Sequence, residues 1–202
     1  MIGLINAKSG NLGSLINALN FLDIKVEIIT KSSQIPKFRK IILPGVGAFV
    51  GLKRNLINLD LYNGLKDFIN NEENFFLGIC IGMQILLTKG TEEEETEGFD
   101  FIKGNVISFK SIKEVKTPNI NWLNIHKKNE SKILKNITDD DFYFLHSYFC
   151  QVRDEKSVIA KANYRGIDFP SVIKKNNIYG IQFHPEKSRS QGLNILKNFS
   201  NL

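Results

Sequence analysis

A mostly parallel, doubly wound α/β sheet with helices on both faces is the fold class this sequence predicts, with an antiparallel portion added late. Three observations carry the prediction. Residues 1–90 alternate short apolar runs with helical repeats in βαβαβα order, which argues for parallel strands joined by crossover helices. Phe75 to Ile79 is continuously apolar, the pattern of a strand covered on both faces. Beyond residue 100, strand patterns dominate and one last helix closes the chain.

Each element follows from its local pattern. Met1 to Asn6 is a short apolar run without a basic flank or a small-residue cleavage site, so it reads as a strand and not as a signal peptide. Ser9-Gly10-Asn11 turns the chain, and Leu12 to Leu22 then puts Leu12, Leu15, Ile16, Leu19 and Leu22 on one helical face. Lys25 to Ile29 and Lys40 to Leu43 are strands, the second stopped by Pro44-Gly45. Leu52 to Asn71 is helical, with a break near Asn58 to Asp60. After the Phe75–Ile79 strand, a short helix carries Met83, Ile85, Leu86 and Leu87. Strands follow at Asn105–Phe109, Phe142–Phe149, Ser157–Ala162, Ser171–Lys175 and Asn177–Phe183, then a helix from Gln191 to Phe199.

Composition narrows the function classes. With 42% hydrophobic and 24% charged residues, the chain is neither disordered nor low-complexity. Its 202 residues suit one domain, 1–202, with a full core. No run reaches the roughly 18 apolar residues that a membrane span needs. Cys80 and Cys150 are too few for a disulfide scaffold and lack metal-ligand spacing, which implies a reducing, cytoplasmic setting and no metal or organic cofactor. The net charge of +6 comes from lysines scattered singly, a pattern of solvated faces and not of a nucleic-acid stripe. The acidic run Glu92 to Glu97 lacks the alternation of a calcium loop and reads as a solvated loop.

Chemistry concentrates in three motifs. Gly78-Ile79-Cys80-Ile81-Gly82 joins a buried strand to a helix, the context of a nucleophile elbow. There the helix start would favour a thiolate and offer N–H groups to an oxyanion. So short a pattern also fits a structural cysteine between two packing glycines. His184-Pro185-Glu186 supplies the missing base: a histidine whose second ring nitrogen a carboxylate can hold. Pro44-Gly45-Val46-Gly47-Ala48-Phe49 ends a strand in a glycine-rich turn. It lacks the Lys-Ser/Thr of a phosphate loop and suits a second oxyanion donor. In a doubly wound sheet, such turns gather at the carboxyl ends of the strands.

These three motifs, in this order, resemble the class I, triad-type glutamine amidotransferases. In finer detail they resemble the glutaminase subunits of imidazole glycerol phosphate synthase, an enzyme of histidine biosynthesis. The early Gly10-Asn11-Leu12, the segment Phe142 to Tyr148 and the ending Glu186-Lys187-Ser188 through Phe199 extend the likeness over the whole chain. The resemblance implies that Cys80 attacks the carboxamide of glutamine, that His184 moves the protons and that Glu186 orients His184. It implies oxyanion donors on the backbone of Ile81 and of Val46-Gly47, and glutamine contacts from Gln84, Ser147 and Tyr148. It implies a heterodimer with a (β/α)8-barrel cyclase that receives the ammonia, touched by Asn11, Trp122 and Lys187. Direct transfer makes sense because ammonia in neutral water is mostly ammonium, which has no lone pair to attack with.

Where that family usually has Pro-His-Met-Gly-Trp, this chain has Pro118-Asn119-Ile120-Asn121-Trp122, and the resemblance places this segment toward the cyclase. Glu97-Gly98-Phe99-Asp100-Phe101 departs in the same way from a usual Gly-Leu-Gly. The changes leave the triad intact but open the identity of the partner. A paralogue feeding ammonia to a surface-sugar amidotransferase is one alternative. A γ-glutamyl hydrolase and a non-catalytic regulatory subunit are others. Cys150 is read as structural, His146 as packed at the margin of the site, and His126 as solvated in a polar loop.

Overall fold

The computed structural model describes residues 1–8, 12–138 and 141–202. The first part runs β1 (Ile2–Ile5), α1 (Leu12–Phe21), β2 (Val26–Ile29), β3 (Lys40–Leu43), α2 (Phe49–Asn58), α3 (Tyr62–Asn70), β4 (Phe75–Ile79) and α4 (Ile81–Gln84). Then come β5 (Leu87–Gly90), β6 (Thr96–Glu97), β7 (Ile102–Ser108), β8 (Asn119–Asn124), β9 (His126–Lys127), β10 (Asp141–His146) and β11 (Tyr148–Val152). The chain closes with β12 (Val158–Tyr164), β13 (Ile167–Lys175), β14 (Ile178–Ile181) and α5 (Arg189–Ser200).

The main sheet has the order β2-β1-β3-β4-β14-β13-β12-β9. It is parallel from β2 to β14 and antiparallel from β14 to β9, as the sequence predicts. β1 and β4 are buried almost throughout, because α1 and α5 pack together while α2 packs on α3 and α4. Parallel strands joined by helical crossovers must be covered this way, and their near-continuous apolar sequence follows. Among the described residues, no helix is long and apolar enough to cross a membrane.

The elements of the first half appear within a few residues of their expected bounds, including the break between α2 and α3. Four expectations are corrected. Leu87 does not end a helix: α4 is one turn, and Leu87 opens β5 of a separate four-stranded sheet, β11-β7-β5-β6. Phe142–Phe149 is not one strand. It bends at Ser147 into β10, paired with β8, and β11, paired with β7. The alternation of β10, with Phe142, Phe144 and His146 buried, ends at that bend, and Phe149 and Cys150 are buried side by side in β11. The acidic run is not wholly a solvated loop, since Thr96–Glu97 forms β6 and Glu92 turns inward. Finally, His126 lies in a short strand, although exposed. β8 and β9 were invisible in the sequence because Asn119–Asn124 and His126–Lys127 are mostly polar and exposed.

Candidate active site

The parallel register of β4 with β14 pairs Gly78 with Gly180 and Ile79 with Ile181, so the two strands end together. Cys80 N–H then donates to Ile181 O at 2.8 Å, which ties the residue after β4 to the end of β14. Cys80 has φ 56° and ψ −109°, a strained backbone for a residue with a Cβ. The flanking glycines make the turn possible. A Cβ on Gly78 would stand 2.1 Å from Gly82 O, and one on Gly82 would stand 2.0 Å from Leu43 O. This is the sharp strand-to-helix elbow that the Gly-x-Cys-x-Gly spacing predicts.

Cys80 is nearly buried and opens into a cleft of about 200 Å³. The same cleft is lined by Val46, Gly47, Ile81, Gln84, Ser147 and Tyr148, so the structure gathers the expected oxyanion and glutamine-contact residues around one sulfur. Ile81 N–H starts α4 and makes no backbone hydrogen bond among the described residues. Gly47 adopts φ 107°, accessible to glycine alone at little cost, although a Cβ there would meet nothing within 4 Å, so the backbone torsion and not crowding requires the glycine.

Past β14, the chain brings Gln182 and His184 beside the elbow. His184 N–H donates to Tyr143 O at 2.9 Å, and Ser188 Oγ both donates to His184 O and accepts from Tyr143 N–H, at 2.6 and 3.0 Å. This clamp fixes the imidazole, whose Nδ1 lies 3.0 Å from Glu186 Oε1. Nε2 makes no hydrogen bond of ordinary geometry among the described residues and is the nitrogen left for the Cys80 thiol. Burial alone would lower the His184 pKa. Hydrogen bonding and charge from Cys80, together with those from Glu186, more than offset it and hold the pKa at about 10. A charged imidazolium beside a sulfur favours the thiolate.

Two residues of the cleft, one expected to be solvated and one expected at its margin, have partners that the sequence does not show. Glu92 Oε2 accepts from Phe49 N–H at 2.8 Å, capping α2, whose own N-cap Ala48 has no side chain to do so. This carboxylate is half-buried in the cleft wall, and burial pushes its pKa up. It was hidden inside a run of glutamates. His146 is the other. Its Nδ1 lies 2.8 Å from Tyr148 O, an acceptor only, so Nδ1 carries the proton. Its Nε2 accepts from Asn119 Nδ2 at 3.2 Å, and Asn119 Oδ1 accepts from Asn121 at 2.8 Å. Burial is the main cause that lowers the His146 pKa, to about 4, so the ring stays neutral. Asn119 is therefore not an interface residue: it is fully buried and holds the cleft wall.

Outside the cleft, Trp122 is 38% exposed on β8, with Arg189 over its ring at 4.5 Å and Tyr143 edge-on at 5.7 Å. Lys187 is exposed and lies 5.4 Å from the Tyr143 ring. Asn11, the third expected interface residue, lies outside the described residues. Cys150 is buried in β11, burial pushes its thiol well up, and it lines no part of the cleft. Among the described residues, no group of three His, Cys, Asp or Glu is placed to hold a metal ion.

Comparison with known proteins agrees with this geometry. Residues 4–201 match the family "Glutamine amidotransferase class-I". The chain is 39% identical to the imidazole glycerol phosphate synthase subunit HisH of Leptospira borgpetersenii, with all of both chains covered. It is 40% identical to the subunits of the same name from Caldanaerobacter subterraneus and Methanocaldococcus jannaschii, covering all of this chain and 98% and 100% of theirs. Among solved structures, a glutamine amidotransferase superposes with a TM-score of 0.74 at 14% identity, over 99% of this chain and 97% of that one. PurLQS from Thermotoga maritima gives 0.75 at 15% identity with the same coverage; at such identities the likeness is one of fold. The full-length match, with elbow and glycine turn around one cleft and the clamped histidine against Cys80, means that this chain belongs to the class I glutamine amidotransferases, within the family of the imidazole glycerol phosphate synthase subunit HisH.

Proposed function

We infer that this chain is a glutaminase subunit that hydrolyses glutamine through Cys80, His184 and Glu186 and hands the ammonia to a synthase partner in histidine biosynthesis. The observation that carries the reading is that His184, held by Glu186, meets Cys80 at the elbow, and Cys80 opens into one small cleft. A cleft of about 200 Å³ suits an amino-acid side chain better than a γ-glutamyl peptide, since drug-sized sites run to about 300–1,000 Å³.

The Cys80 thiolate adds to the glutamine carboxamide carbon, and the oxyanion meets N–H groups of Ile81 and of the Val46-Gly47 turn. His184 gives its proton to the nitrogen, the C–N bond breaks and ammonia leaves a thioester. Neutral His184 then takes a proton from water. The hydroxide adds, the C–S bond breaks and the thiolate is restored with glutamic acid, which ionises to glutamate. Glu186 holds Nδ1–H throughout, so Nε2 always faces the sulfur. Gln84 Nε2 is committed to Tyr148 O and Gln182 Oε1, at 3.0 and 3.1 Å. Its remaining oxygen and the Glu92 carboxylate are the groups suited to the α-ammonium of glutamine, with Ser147 and Tyr148 at the same end.

The relatives are named as subunits, which implies a second chain for each of them. Here the exposed Trp122, Lys187 and Arg189, with the half-buried Tyr143 between them and His184, support a docking face for a (β/α)8-barrel cyclase. The chain would act as one domain in the cytoplasm, where a free thiolate survives. The test is glutamine turnover with and without the histidine-pathway cyclase. Turnover that rises with the cyclase and vanishes in Cys80→Ala is expected. A Cys80→Ala chain that keeps wild-type turnover overturns the reading.

A further inference from the structure

The nucleophile has a neighbour to which the triad gives no part. Gln182 is fully buried, and its Nε2 donates to Cys80 Sγ at 3.5 Å. The register explains the meeting: Gly78 pairs with Gly180, so Cys80 and Gln182, each two residues on, stand side by side where the strands end.

The orientation of this amide follows from its surroundings. Tyr148 O can only accept, so Gln84 must present its Nε2 there. The same Nε2 lies 3.1 Å from the Gln182 amide, which must answer with oxygen. The Gln182 NH₂ is therefore turned to the sulfur and cannot flip without setting two donors face to face. His146 Nδ1–H also donates to Tyr148 O, which pins the far end.

An N–H aimed at sulfur favours thiolate over thiol, because a bond to an ionised acceptor is about twice as strong as a neutral one. In the thioester the sulfur carries no charge and that bond weakens. It strengthens again as the C–S bond breaks. We propose that Gln182 is a positioning residue that holds the Cys80 sulfur in its thiolate form and supports its departure from the thioester, with its amide locked by Gln84 and the Tyr148 carbonyl. This rests on the reading of Cys80 as nucleophile.

The test is alkylation of Cys80 in the full chain by iodoacetamide across pH 5–11, which requires no glutamine turnover. Gln182→Leu and Gln182→Met remove the donor while keeping bulk, and a matching circular dichroism spectrum certifies the fold. One charge-assisted hydrogen bond predicts that the pH of half-maximal alkylation rises by about one unit, with roughly tenfold slower labelling near neutrality and an unchanged alkaline plateau. A purely structural role would lower the plateau without moving the midpoint. In the unsubstituted chain, the ¹⁵N-labelled Gln182 side-chain amide is expected to titrate with the wild-type midpoint. A folded variant whose profile superposes on the wild type, or an amide blind to pH, overturns the proposal. A wild-type Cys80 that resists labelling where free thiols react overturns the nucleophile reading and this proposal with it.

Discussion

Replacing the nucleophile by glycine is expected to leave a more stable protein than replacing it by alanine, the reverse of the usual order. Cys80 holds φ 56° and ψ −109° because Gly78, Gly82 and the bond to Ile181 O leave the turn no other path. Cys80→Ala removes the sulfur but keeps the Cβ that makes these angles costly. Cys80→Gly removes both. A residue held in so sparsely populated a region costs about 1–3 kcal/mol. Against this, glycine loses about 0.5–1 kcal/mol more backbone entropy on folding than alanine. The balance favours the glycine variant by up to about 2.5 kcal/mol, with a midpoint of about 1 kcal/mol, or about 2–4 °C in Tm for a chain of this size. The assay is urea unfolding of both variants, compared at equal m-values so that only stability is read. Both are expected to lack glutamine hydrolysis. A glycine variant less stable than the alanine variant by about 0.5–1 kcal/mol, the ordinary cost of glycine, would mean that the elbow stores no strain.

The other expectations concern the walls and rim of the cleft. His146 takes up protons less readily when folded (pKa about 4) than when unfolded (6.5), so the unfolded chain binds more protons between those values. Its contribution is whole above pH 6.5 and is lost as pH falls toward 4, by about 3 kcal/mol; unfolding midpoints at pH 7 and 4.5 should show that His146→Gln flattens this fall, and an equal fall in both chains would refute it. Gly82→Ala puts a Cβ 2.0 Å from Leu43 O and is expected to cost at least about 1–3 kcal/mol and to abolish turnover with the triad residues intact, so a stable, active variant would discredit the elbow geometry. Trp122→Ala should change the melting temperature of the isolated chain little, yet weaken cyclase binding by about 2 kcal/mol, roughly thirtyfold, if the ring is a central anchor. Titration calorimetry with the cyclase checks it, and unchanged affinity would move the docking face elsewhere.

Legibility in the sequence followed chain locality. The β-strands and helices of the first half could be read because covered parallel strands are continuous apolar runs and their helices carry apolar residues at helical spacing. The proposed nucleophile, its proposed base and the glycine turn could be read because each is a local motif whose chemistry needs those residue types at that spacing. Where contacts form between distant segments, the sequence fell short. β8 exposes its apolar Ile120 and Trp122 and buries Asn119, so Asn119–Asn124 offers no core-facing apolar pattern and is held as a strand by its pairing with β10. The split at Ser147 sits inside the aromatic-rich stretch Phe142–Phe149 and shows only in the separate pairing of β10 with β8 and of β11 with β7.

The sequence by itself determined the elbow, the His184–Glu186 pair and the alternating first half, since these depend on neighbours a few residues away; that the pair meets Cys80 depends on the register of β4 with β14. Only the tertiary structure decided that Glu92 caps α2 from 43 positions along the chain, that Asn119 is a buried support for His146 and that Gln182 faces the sulfur. The reason is physical: a buried polar side chain must find its hydrogen-bond partner wherever strand register and helix packing bring one, and that partner has no fixed distance in sequence.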